Sequence, residues 1–420
     1  MEWYDFTLYG VAAALIFNIQ FFPELDPATG TIASFASFGL GFFARPLGGI
    51  ILGNLADRVG RKLTLVISLL LMGIATTLIG IIPTYAAIGL GAPILLVVCR
   101  LVQGFGAGGE LGPAATLVAE YSEPKRRGFL TSFMGSGVAL GVGLAAGVFN
   151  LTRKALSIES FEAWGWRIPF LISALLVVVA LLIRLRVDET PVFEDIEKDK
   201  EEAKLPVVAV FKNHPGNFFV AIAARFAEVG PTYVFNTFAL SYVAASVSSD
   251  LSGTALTGVS IGGLLGVITI PFFGALSDRI GRRPVYIGGA IFVGIIAFPF
   301  FWLLDSANPI AIYAAFILSI PLGVYVMFSV QCSYFPELFS TQTRASGMSL
   351  ARELTAPLIA GPSPFIAASL VALTGSWWPV AAMIVVYSII TVVGIGLGPE
   401  TKGTNLRTIW QDKKSDSVAE

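Results

Sequence analysis

Long apolar stretches alternate with short polar connections along almost the whole chain. Most of these stretches approach the length of about 20 residues that an α-helix needs to cross the hydrocarbon core of a bilayer. Twelve of them follow one another, at approximately 3–22, 31–56, 62–82, 92–121, 128–150, 166–186, 214–246, 253–277, 284–304, 308–335, 344–374 and 377–398. The pattern predicts an all-α membrane protein with twelve transmembrane helices, numbered here as span 1 to span 12 in chain order.

The composition supports this class and excludes others. Of the 420 residues, 55% are hydrophobic and 13% are charged, whereas soluble domains carry about 25% charged residues. Cys99 and Cys332 both fall inside apolar stretches, and His214 is the single histidine. We therefore expect neither a disulfide framework nor a metal site, and no cofactor.

The positive charges indicate the orientation in the membrane. If successive connections lie alternately on the two sides, 20 lysines and arginines fall on one side, and the other side holds only Arg153 and Lys154. The positive-inside rule then places both chain termini and the charged connection at 187–212 in the cytoplasm. The start of the chain does not resemble a cleavable signal peptide, and we expect a short or trimmed N-terminal tail.

A charged decapeptide occurs twice in the chain. GNLADRVGRK at 53–62 follows span 2, and GALSDRIGRR at 274–283 follows span 8. Asp57 and Asp278 occupy the same place in the two copies. The duplication indicates an internal repeat that covers about half of the chain.

A second pair of segments has nearly the same offset. Glu120 and Arg127 in EYSEPKRRG correspond to Glu337 and Arg344 in ELFSTQTRASG, and both members of the pair are shifted equally. Two independent motifs with nearly one offset predict two parallel six-helix bundles, related by a pseudo-twofold axis along the membrane normal. The predicted order is a first bundle, a cytoplasmic linker, a second bundle and a cytoplasmic tail, at 1–186, 187–212, 213–398 and 399–420.

Both decapeptides resemble the signature loop of the major facilitator superfamily, and RLVQG at 100–104 resembles its fourth-span motif. Within the superfamily, the chain resembles the metabolite:proton symporter family in six segments: EWYDFTLYG, FFARPLGG, QGFGAGGELG, SEPKRRG, WGWRIPF and ETPVF. The resemblance covers essentially the whole chain and implies the major facilitator fold. It also implies a multi-pass protein of the bacterial inner (plasma) membrane that carries organic acids or zwitterionic solutes by alternating access.

The charged loops have the chemistry of a gate. A carboxylate there can cap a neighbouring helix N-terminus or pair with an arginine, at about 0.3–2 kcal/mol, and can lose that contact in another conformation. The family resemblance implies a latch between the halves on the cytoplasmic side when the cavity faces outward. The alternative is that the cations only fix the topology. The predicted gating residues are Asp57, Arg58, Arg61, Asp278, Arg279 and Arg282.

Ionisable residues near the middle of a span cost about 2.5–3.5 kcal/mol each on insertion scales, so they are functional candidates. Arg100, Gln103 and Glu110 project from one side of span 4, because successive residues of a helix are 100° apart. Arg100 stays cationic while Glu110 can exchange a proton. The alternative is a static buried ion pair that fixes packing.

Spans 1 and 2 carry further candidates. Asp5 and Tyr9 share one face of span 1, and Glu2 is interpreted as interfacial. Arg45 on span 2 can pair with Asp5 or with Glu110, or can hold substrate. The predicted proton-coupling residues are Asp5, Arg45, Arg100 and Glu110.

A polar stripe on span 7 indicates a substrate site. Arg225, Glu228, Thr232 and Asn236 lie within a narrow sector of the helix, with Tyr233 beside them. Arg225 is the first candidate for a substrate carboxylate, because a guanidinium binds a carboxylate bidentately. The alternative is that Arg225 pairs with Glu228 one turn away. The predicted substrate-binding residues are Tyr9, Gln103, Arg225, Glu228, Tyr233, Asn236 and Tyr325.

Two further spans carry polar residues whose direction matters. On span 10 Tyr325 faces the expected cavity, and Gln331 points elsewhere. On span 11 Arg352 and Glu353 are neighbours in sequence and point about 100° apart, so at most one of them is expected to face the cavity.

The motifs favour a secondary active transporter. A phosphate-binding GxxxxGK[ST] loop is missing from the sequence, so ATP-driven transport is not expected, and an enzyme is not expected either. The predicted function is proton-coupled symport of a small organic acid or zwitterionic metabolite. Proton-antiport efflux or passive facilitation on the same fold stays open, because GSGVALG at 135–141 resembles an antiporter motif.

A receptor that does not transport is disfavoured, because only the linker and a short tail lie outside the predicted bundles. The expected partners are a carboxylate-bearing small molecule, protons and the lipid bilayer. We expect no nucleic acid and a monomeric protein.

Overall fold

The structure is a computed structural model that describes residues 1–59, 61–108, 111–186, 210, 214–340 and 343–406. The predicted linker and most of the predicted tail lie outside these ranges. Throughout the described residues the regular secondary structure is helical.

The part of the chain up to residue 186 folds as a series of antiparallel helices. Spans 1 to 6 correspond to α1 with α2, α3, α4, α6 with α7, α8 and α10, and α5 and α9 are short helices in connections. The bounds are α1 Glu2–Leu15, α2 Phe17–Phe21, α3 Pro27–Val59, α4 Arg61–Ile79, α5 Tyr85–Ile88, α6 Gly91–Ala107, α7 Leu111–Tyr121, α8 Arg127–Ala155, α9 Ile158–Ala163 and α10 Ile168–Arg186.

The second part repeats this arrangement. Spans 7 to 12 correspond to α11 with α12, α13, α14, α15 with α16, α17 with α18, and α19. The bounds are α11 Pro215–Tyr233, α12 Ala239–Tyr242, α13 Ser252–Ile280, α14 Arg282–Asp305, α15 Pro309–Ser319, α16 Tyr325–Glu337, α17 Arg344–Thr355, α18 Pro362–Thr374 and α19 Trp378–Leu397.

The helices agree with the predicted spans. Within the described ranges, nine helical segments are long and apolar enough to cross a bilayer, and two shorter apolar helices lie at Leu63–Ile79 and Gly91–Ala107. The remaining predicted segment, span 1, begins with the buried helix α1. The prediction of an all-α membrane protein is confirmed.

Widened π turns interrupt three spans of the second part. They lie at Val234–Phe238 and Val243–Val247 in span 7, at Ile320–Val324 in span 10 and at Ala356–Ala360 in span 11. Three of the four contain or closely follow a proline, which lacks the N–H group of a regular helix and clashes with the carbonyl group one turn earlier. Such turns occur often at functional sites, and spans 7 and 11 both line the central cavity described below.

Small residues let helices of the two parts approach closely. A Cβ atom added at Gly263 on α13 would lie 2.5 Å from the backbone nitrogen of Gly143 on α8, and one added at Gly39 on α3 would lie 3.2 Å from the carbonyl oxygen of Gly361. Contacts of this kind replace the hydrophobic effect as the source of helix association in a bilayer. They bring spans 5 and 8, and spans 2 and 11, into backbone contact.

Candidate functional site

A small cavity lies where spans 1, 2, 7 and 11 meet, and we call it the central cavity. The free space in it is about 10 Å³, on the order of one water molecule. Its walls combine three arginines and one glutamate with aromatic and small residues. The lining residues are Trp3, Phe42, Arg45, Arg225, Val229, Tyr233, Arg352, Glu353, Ala356 and Ala360.

Arg45 connects the two sides of the central cavity. Its Nη2 lies 2.7 Å from a carboxylate oxygen of Glu2, and its Nε lies 3.1 Å from a carboxylate oxygen of Glu353. The first pair joins spans 1 and 2, and the second joins spans 2 and 11. Because charged groups in low dielectric need a partner, this triad holds the two parts of the chain together at mid-height.

Three expectations about this triad need correction. Arg45 is bound to these two glutamates and not to Asp5. Glu2 is not interfacial, since it is 8% exposed and bound to Arg45. Arg352 and Glu353 both line the cavity, although neighbouring residues of a helix point about 100° apart.

Asp5 on span 1 is fully buried and does not line the central cavity. Its Oδ1 accepts a hydrogen bond of 2.9 Å from the hydroxyl of Ser173 on span 6. Its Oδ2 has no hydrogen-bond partner among the described residues. The carboxyl group is therefore held by a neutral donor and not by an arginine.

Arg100 is enclosed by aromatic rings of spans 1 and 2. The guanidinium carbon lies 4.2 Å from the ring centre of Phe6, 4.5 Å from that of Tyr9 and 4.7 Å from that of Phe38. Cation–π attraction of this kind is strengthened when water is excluded. Arg100 also donates to the carbonyl of Phe38 at 3.1 Å and to the side chain of Gln103.

Two predicted substrate residues belong to this enclosure. Gln103 accepts from Arg100 and donates to Thr76 at 2.8 Å, and the hydroxyl of Tyr9 is hydrogen-bonded to Ser37 at 2.8 Å. Neither lines the central cavity in this conformation. Glu110, the fourth predicted proton-coupling residue, lies outside the described residues.

On span 7, Arg225 and Glu228 form an ion pair between their side chains. Arg225 also donates to Thr355 and to the Oε1 of Gln331, both at 3.2 Å. The alternative raised for these residues, a pair one turn apart, is what the structure shows. Arg225 nevertheless lines the central cavity.

Gln331, which the sequence directs away from the cavity, does not line it but contacts three charged side chains of spans 7 and 11. Its Oε1 accepts from Arg225 at 3.2 Å and from Arg352 at 2.8 Å, and its Nε2 donates to Glu228 at 3.0 Å. Span 10 turns this face towards span 7, which cannot be read from the spacing within span 10 alone. The only sign of these contacts in the sequence is that Gln331 carries a neutral amide, which can form hydrogen bonds with charged residues of a neighbouring span.

The other predicted substrate residues are placed as follows. Tyr233 lines the cavity and packs against Phe38 and Phe42, with ring centres 5.4 and 5.3 Å away. Asn236 is buried in a π turn and does not line the cavity. Tyr325 is also not among the lining residues, because its ring packs against Gly266 on span 8.

A second charged cluster lies at the end of the bundle predicted to be cytoplasmic. The carboxylate of Asp278 accepts hydrogen bonds from the backbone N–H groups of Gly128 and Phe129 at 2.8 and 2.9 Å, and pairs with Arg282 at 2.7 Å. Asp278 thereby caps the N-terminus of α8, where the helix dipole favours a negative charge. The contact predicted for the charged loop is present in the second copy.

The repeated glutamate–arginine motifs are paired crosswise. Arg127 lies 2.9 Å from a carboxylate oxygen of Glu337, and Arg344 lies 2.5 Å from one of Glu120. Each arginine also donates its Nε to the carbonyl group eight residues earlier, at 3.1 Å for Arg127 and 2.9 Å for Arg344. The same bonds at equivalent positions agree with the repeat that the common offset of the two motifs predicted.

The chain after span 12 completes this cluster. Glu400 accepts from the backbone N–H groups of Arg282 and Arg283 at 2.9 and 3.0 Å, and Thr401 donates to Glu337 at 2.5 Å. From the sequence, this segment is predicted only to be a cytoplasmic tail. We call the following set the ion-pair network: Glu120, Arg127, Asp278, Arg282, Glu337, Arg344, Glu400 and Thr401.

Some of the predicted gating residues have no gating contact among the described residues or lie outside them. The side chain of Arg279 is exposed and has no hydrogen-bond or ion-pair partner among the described residues, and its carbonyl group accepts a hydrogen bond from Lys402. The side chains of Asp57, Arg58 and Arg61 lie outside the part of the chain that the structure describes. The gating roles therefore stay predictions, with Asp278 and Arg282 placed where the prediction needs them.

A bundle of apolar spans with a charged cavity at mid-height and an ion-pair network at one end defines a multi-pass membrane transporter. The family model of the Major Facilitator Superfamily matches residues 3–364. The chain belongs to the major facilitator superfamily, and it is a transporter and not an enzyme.

Relatives with known names are metabolite transporters. The shikimate transporter of Escherichia coli is 41% identical over 384 residues, which span 91% of this chain and 87% of that protein. The proline/betaine transporter of Salmonella typhimurium is 36% identical over 419 residues, 97% of this chain and 82% of that protein.

A solved structure of the proton:xylose symporter XylE superposes with a TM-score of 0.71 at 19% identity, covering 100% of this chain and 98% of that one. At this identity the likeness establishes the fold alone, and it confirms the predicted major facilitator fold.

Proposed function

We propose that the protein is a proton-coupled symporter of a small metabolite that carries a carboxylate, either an organic acid or a zwitterion. The observation that carries this proposal is the composition of the central cavity, in which three guanidinium groups and one carboxylate meet between aromatic walls. Arginine is the side chain best suited to bind a carboxylate in a desolvated site.

The names of the relatives agree with this substrate class. Shikimate is a carboxylic acid, and proline and betaine are zwitterions that carry a carboxylate. The common feature of these solutes is one carboxylate on a compact body. A cavity that expands by separation of the two parts would take a body of that size.

The proton is assigned to Asp5. Its carboxyl group is fully buried, accepts one hydrogen bond from Ser173 and forms no ion pair with a described residue. It can therefore change its protonation state without breaking an ion pair. Arg100, enclosed nearby by aromatic rings, supplies the fixed positive charge.

Transport then requires alternating access. With about 10 Å³ free, the central cavity is too small for these solutes in this conformation, so the bundle must open at one end to admit them. The ion-pair network is the part that must separate when the predicted cytoplasmic end opens.

The test is uptake into proteoliposomes. We expect the wild-type protein to accumulate at least one of radiolabelled shikimate, proline and betaine when the interior is alkaline. A driving force of about 2.3 kcal/mol per 100 mV corresponds to about fifty-fold accumulation. We expect Asp5→Asn to abolish accumulation and to retain counterflow. The matched control is Asp26→Asn, in an exposed connection.

Other outcomes decide against the proposal. Uptake that ignores both the pH gradient and Asp5→Asn would indicate a passive facilitator. Accumulation that requires an acidic interior would indicate proton antiport. Either result would overturn proton symport and leave the carboxylate site to be tested separately.

A further inference from the structure

We propose that Arg352 on span 11 is the residue that binds the substrate carboxylate, and that the site takes monocarboxylates in preference to dicarboxylates. The inference rests on the proposed function, because it names the contact that would recognise the proposed substrate. The sequence favoured Arg225 on span 7 as the residue that binds the substrate carboxylate, whereas this proposal assigns that contact to Arg352 on span 11.

The three arginines of the central cavity differ in their partners. Arg45 is bound to the carboxylates of Glu2 and Glu353, and Arg225 is bound to that of Glu228. Arg352 is bound to a neutral group, the Oε1 of Gln331, at 2.8 Å. All three are buried, with exposed fractions of 6%, 3% and 4% for Arg45, Arg225 and Arg352.

The free edge of Arg352 has the geometry that a carboxylate needs. Within the described ranges its Nε is buried and has no hydrogen-bond partner, and its guanidinium forms no ion pair. Gln331 occupies Nη1, which leaves the edge that carries Nε available. A guanidinium presents parallel N–H groups along such an edge and binds a carboxylate with two hydrogen bonds.

The charge of Arg352 explains why the site is selective. A buried cation without a counter-ion is unfavourable, so an incoming carboxylate is attracted to it more strongly than to a cation that is already neutralised. Arg45 and Arg225 would have to give up a carboxylate before they could take another. One available cation fits one substrate carboxylate, and a second carboxylate would meet Glu353.

Gln331 acts as a positioning residue. It accepts hydrogen bonds from Arg352 and Arg225 and donates one to Glu228. The amide therefore holds Arg352 in place without neutralising it. Gln331 also connects Arg352 to the ion pair between Arg225 and Glu228 on span 7, so that a displacement of Arg352 would shift that ion pair as well.

The rest of the cavity wall suits the body of such a substrate. The aromatic residues Trp3, Phe42 and Tyr233 line the same cavity as Arg352. Aromatic faces pack well against a compact ring and also attract a quaternary ammonium group. The site thus accommodates both a cyclic acid and a zwitterion, provided that each has a single carboxylate.

The experiment compares binding and transport of four probes by reconstituted full-length protein: shikimate, its uncharged methyl ester, betaine and succinate. We expect the wild-type protein to bind shikimate or betaine at least ten-fold more tightly than the methyl ester and succinate. We expect Arg352→Gln to raise the half-saturation concentration of the preferred acid about ten-fold to one-hundred-fold and to remove its advantage over the ester.

Three further variants make the assignment specific. Arg352→Lys keeps the charge but not the two parallel N–H groups, so we expect it to retain part of the preference for the acid over the ester. Gln331→Leu should weaken binding of the acid while the preference over the ester remains. Arg153→Gln, at the far end of α8, is the matched control and should change neither quantity.

Two results would overturn the inference. One is an Arg352→Gln protein with the wild-type unfolding temperature, half-saturation concentration and preference for the acid. The other is a wild-type protein that binds the methyl ester or succinate as tightly as the acids. If Arg352→Gln does not fold, Arg352→Lys and the probe comparison on wild-type protein decide.

These results are distinguishable from a failure of the proposed function. Loss of the dependence on a pH gradient would refute proton symport but would leave the acid preference measurable by ligand-induced changes in unfolding temperature. An unchanged acid preference in Arg352→Gln, with proton-driven accumulation intact, would refute only the role of Arg352.

Discussion

The two ends of the bundle are closed by different chemistry. At the predicted cytoplasmic end, an ion pair that is buried on both sides joins Arg127 to Glu337, and a second pair joins the buried Arg344 to Glu120, whose side chain is 36% exposed. At the opposite end, the hydrogen bonds that the described residues form between the two parts are neutral: Asn150 donates to Thr257 at 2.7 Å, and small residues pack against each other.

The difference teaches which end is held more firmly. Removing one partner of a buried ion pair leaves a charge without compensation and costs about 3–5 kcal/mol, whereas a neutral hydrogen bond contributes about 0.5–1.5 kcal/mol. We therefore expect the end with the ion-pair network to resist opening, and the opposite end to open more readily. Without substrate, we therefore expect the central cavity to be open at the end opposite the ion-pair network, the predicted outer end.

The largest effect is expected for Glu337→Gln. The carboxylate of Glu337 lies 2.9 Å from Arg127 and 3.2 Å from Arg282. Its loss leaves the buried guanidinium of Arg127 without an anion among the described residues, and leaves Arg282 with Asp278 alone. We expect closure of this end to weaken by about 3–5 kcal/mol. The measurement is the distance between spin labels at the exposed positions Glu123 and Arg279, with the native cysteines replaced.

The control for this variant is Glu123→Gln, an exposed glutamate in the connection before α8, measured with the labels moved to Lys125 and Arg279. A Glu337→Gln protein whose label distances and unfolding temperature match the wild type would contradict a closing role of the ion-pair network.

An intermediate effect is expected for Gly39→Ala, which acts between spans 2 and 11. The added Cβ would lie 3.2 Å from the carbonyl oxygen of Gly361, so the two helices must separate slightly. Overpacking of this kind costs about 1–3 kcal/mol. Labels at the exposed positions Glu159 and Asp250 should report a wider opposite end, while the labels at Glu123 and Arg279 stay in place.

Gly288→Ala is the matched control, because an added Cβ there meets no other atom within 4 Å. Equal label distances in the Gly39 and Gly288 variants would show that close packing of spans 2 and 11 does not limit opening.

The smallest effect is expected for Asn150→Ala. It removes the hydrogen bonds of Asn150 to Thr257 and to the carbonyl group of Gly253, at 2.7 and 3.3 Å, which are neutral and close to the membrane surface. We expect a loss of about 0.5–1.5 kcal/mol in closure of the opposite end. The readout is again the distance between labels at Glu159 and Asp250.

An Asn150 variant that opens this end as widely as Glu337→Gln opens the other would refute the proposed inequality of the two ends. Lys154→Ala, at an exposed position near the end of α8, serves as control.

Many residues of the candidate site could be named from the sequence, but most of the side chains that they contact could not. The sequence identified Asp5, Arg45, Arg100 and Arg225 as charges inside spans, because a charge in an apolar run is visible without any structure. The pairing of Arg225 with Glu228 was one of two predicted alternatives. The partners of Arg45 and Asp5 were not predicted: Arg45 binds Glu353 in the other half of the chain, and Asp5 binds Ser173. Contacts between distant helices depend on how the helices are rotated about their axes, which local spacing does not reveal.

The two copies of the charged loop show the same limit. The sequence predicted the type of contact that Asp278 forms with α8, because a carboxylate in a loop between two helices can cap a neighbouring helix N-terminus. The part played by Glu400 and Thr401 was not foreseen, because their contacts with Arg282 and Glu337 arise only when the chain after span 12 folds back beneath the bundle.

The sequence by itself determined that this is a helical membrane protein of two repeated parts with one charged loop in each. These features follow from apolar run length, from charge asymmetry and from a repeated offset, all of which are properties of the chain read in order. The tertiary structure alone decided which charges neutralise each other, because only helices packed at a fixed rotation bring Arg45 to Glu353 and Gln331 to Arg352. That packing gives Arg352 a neutral partner, and it is why the proposed carboxylate site lies on span 11.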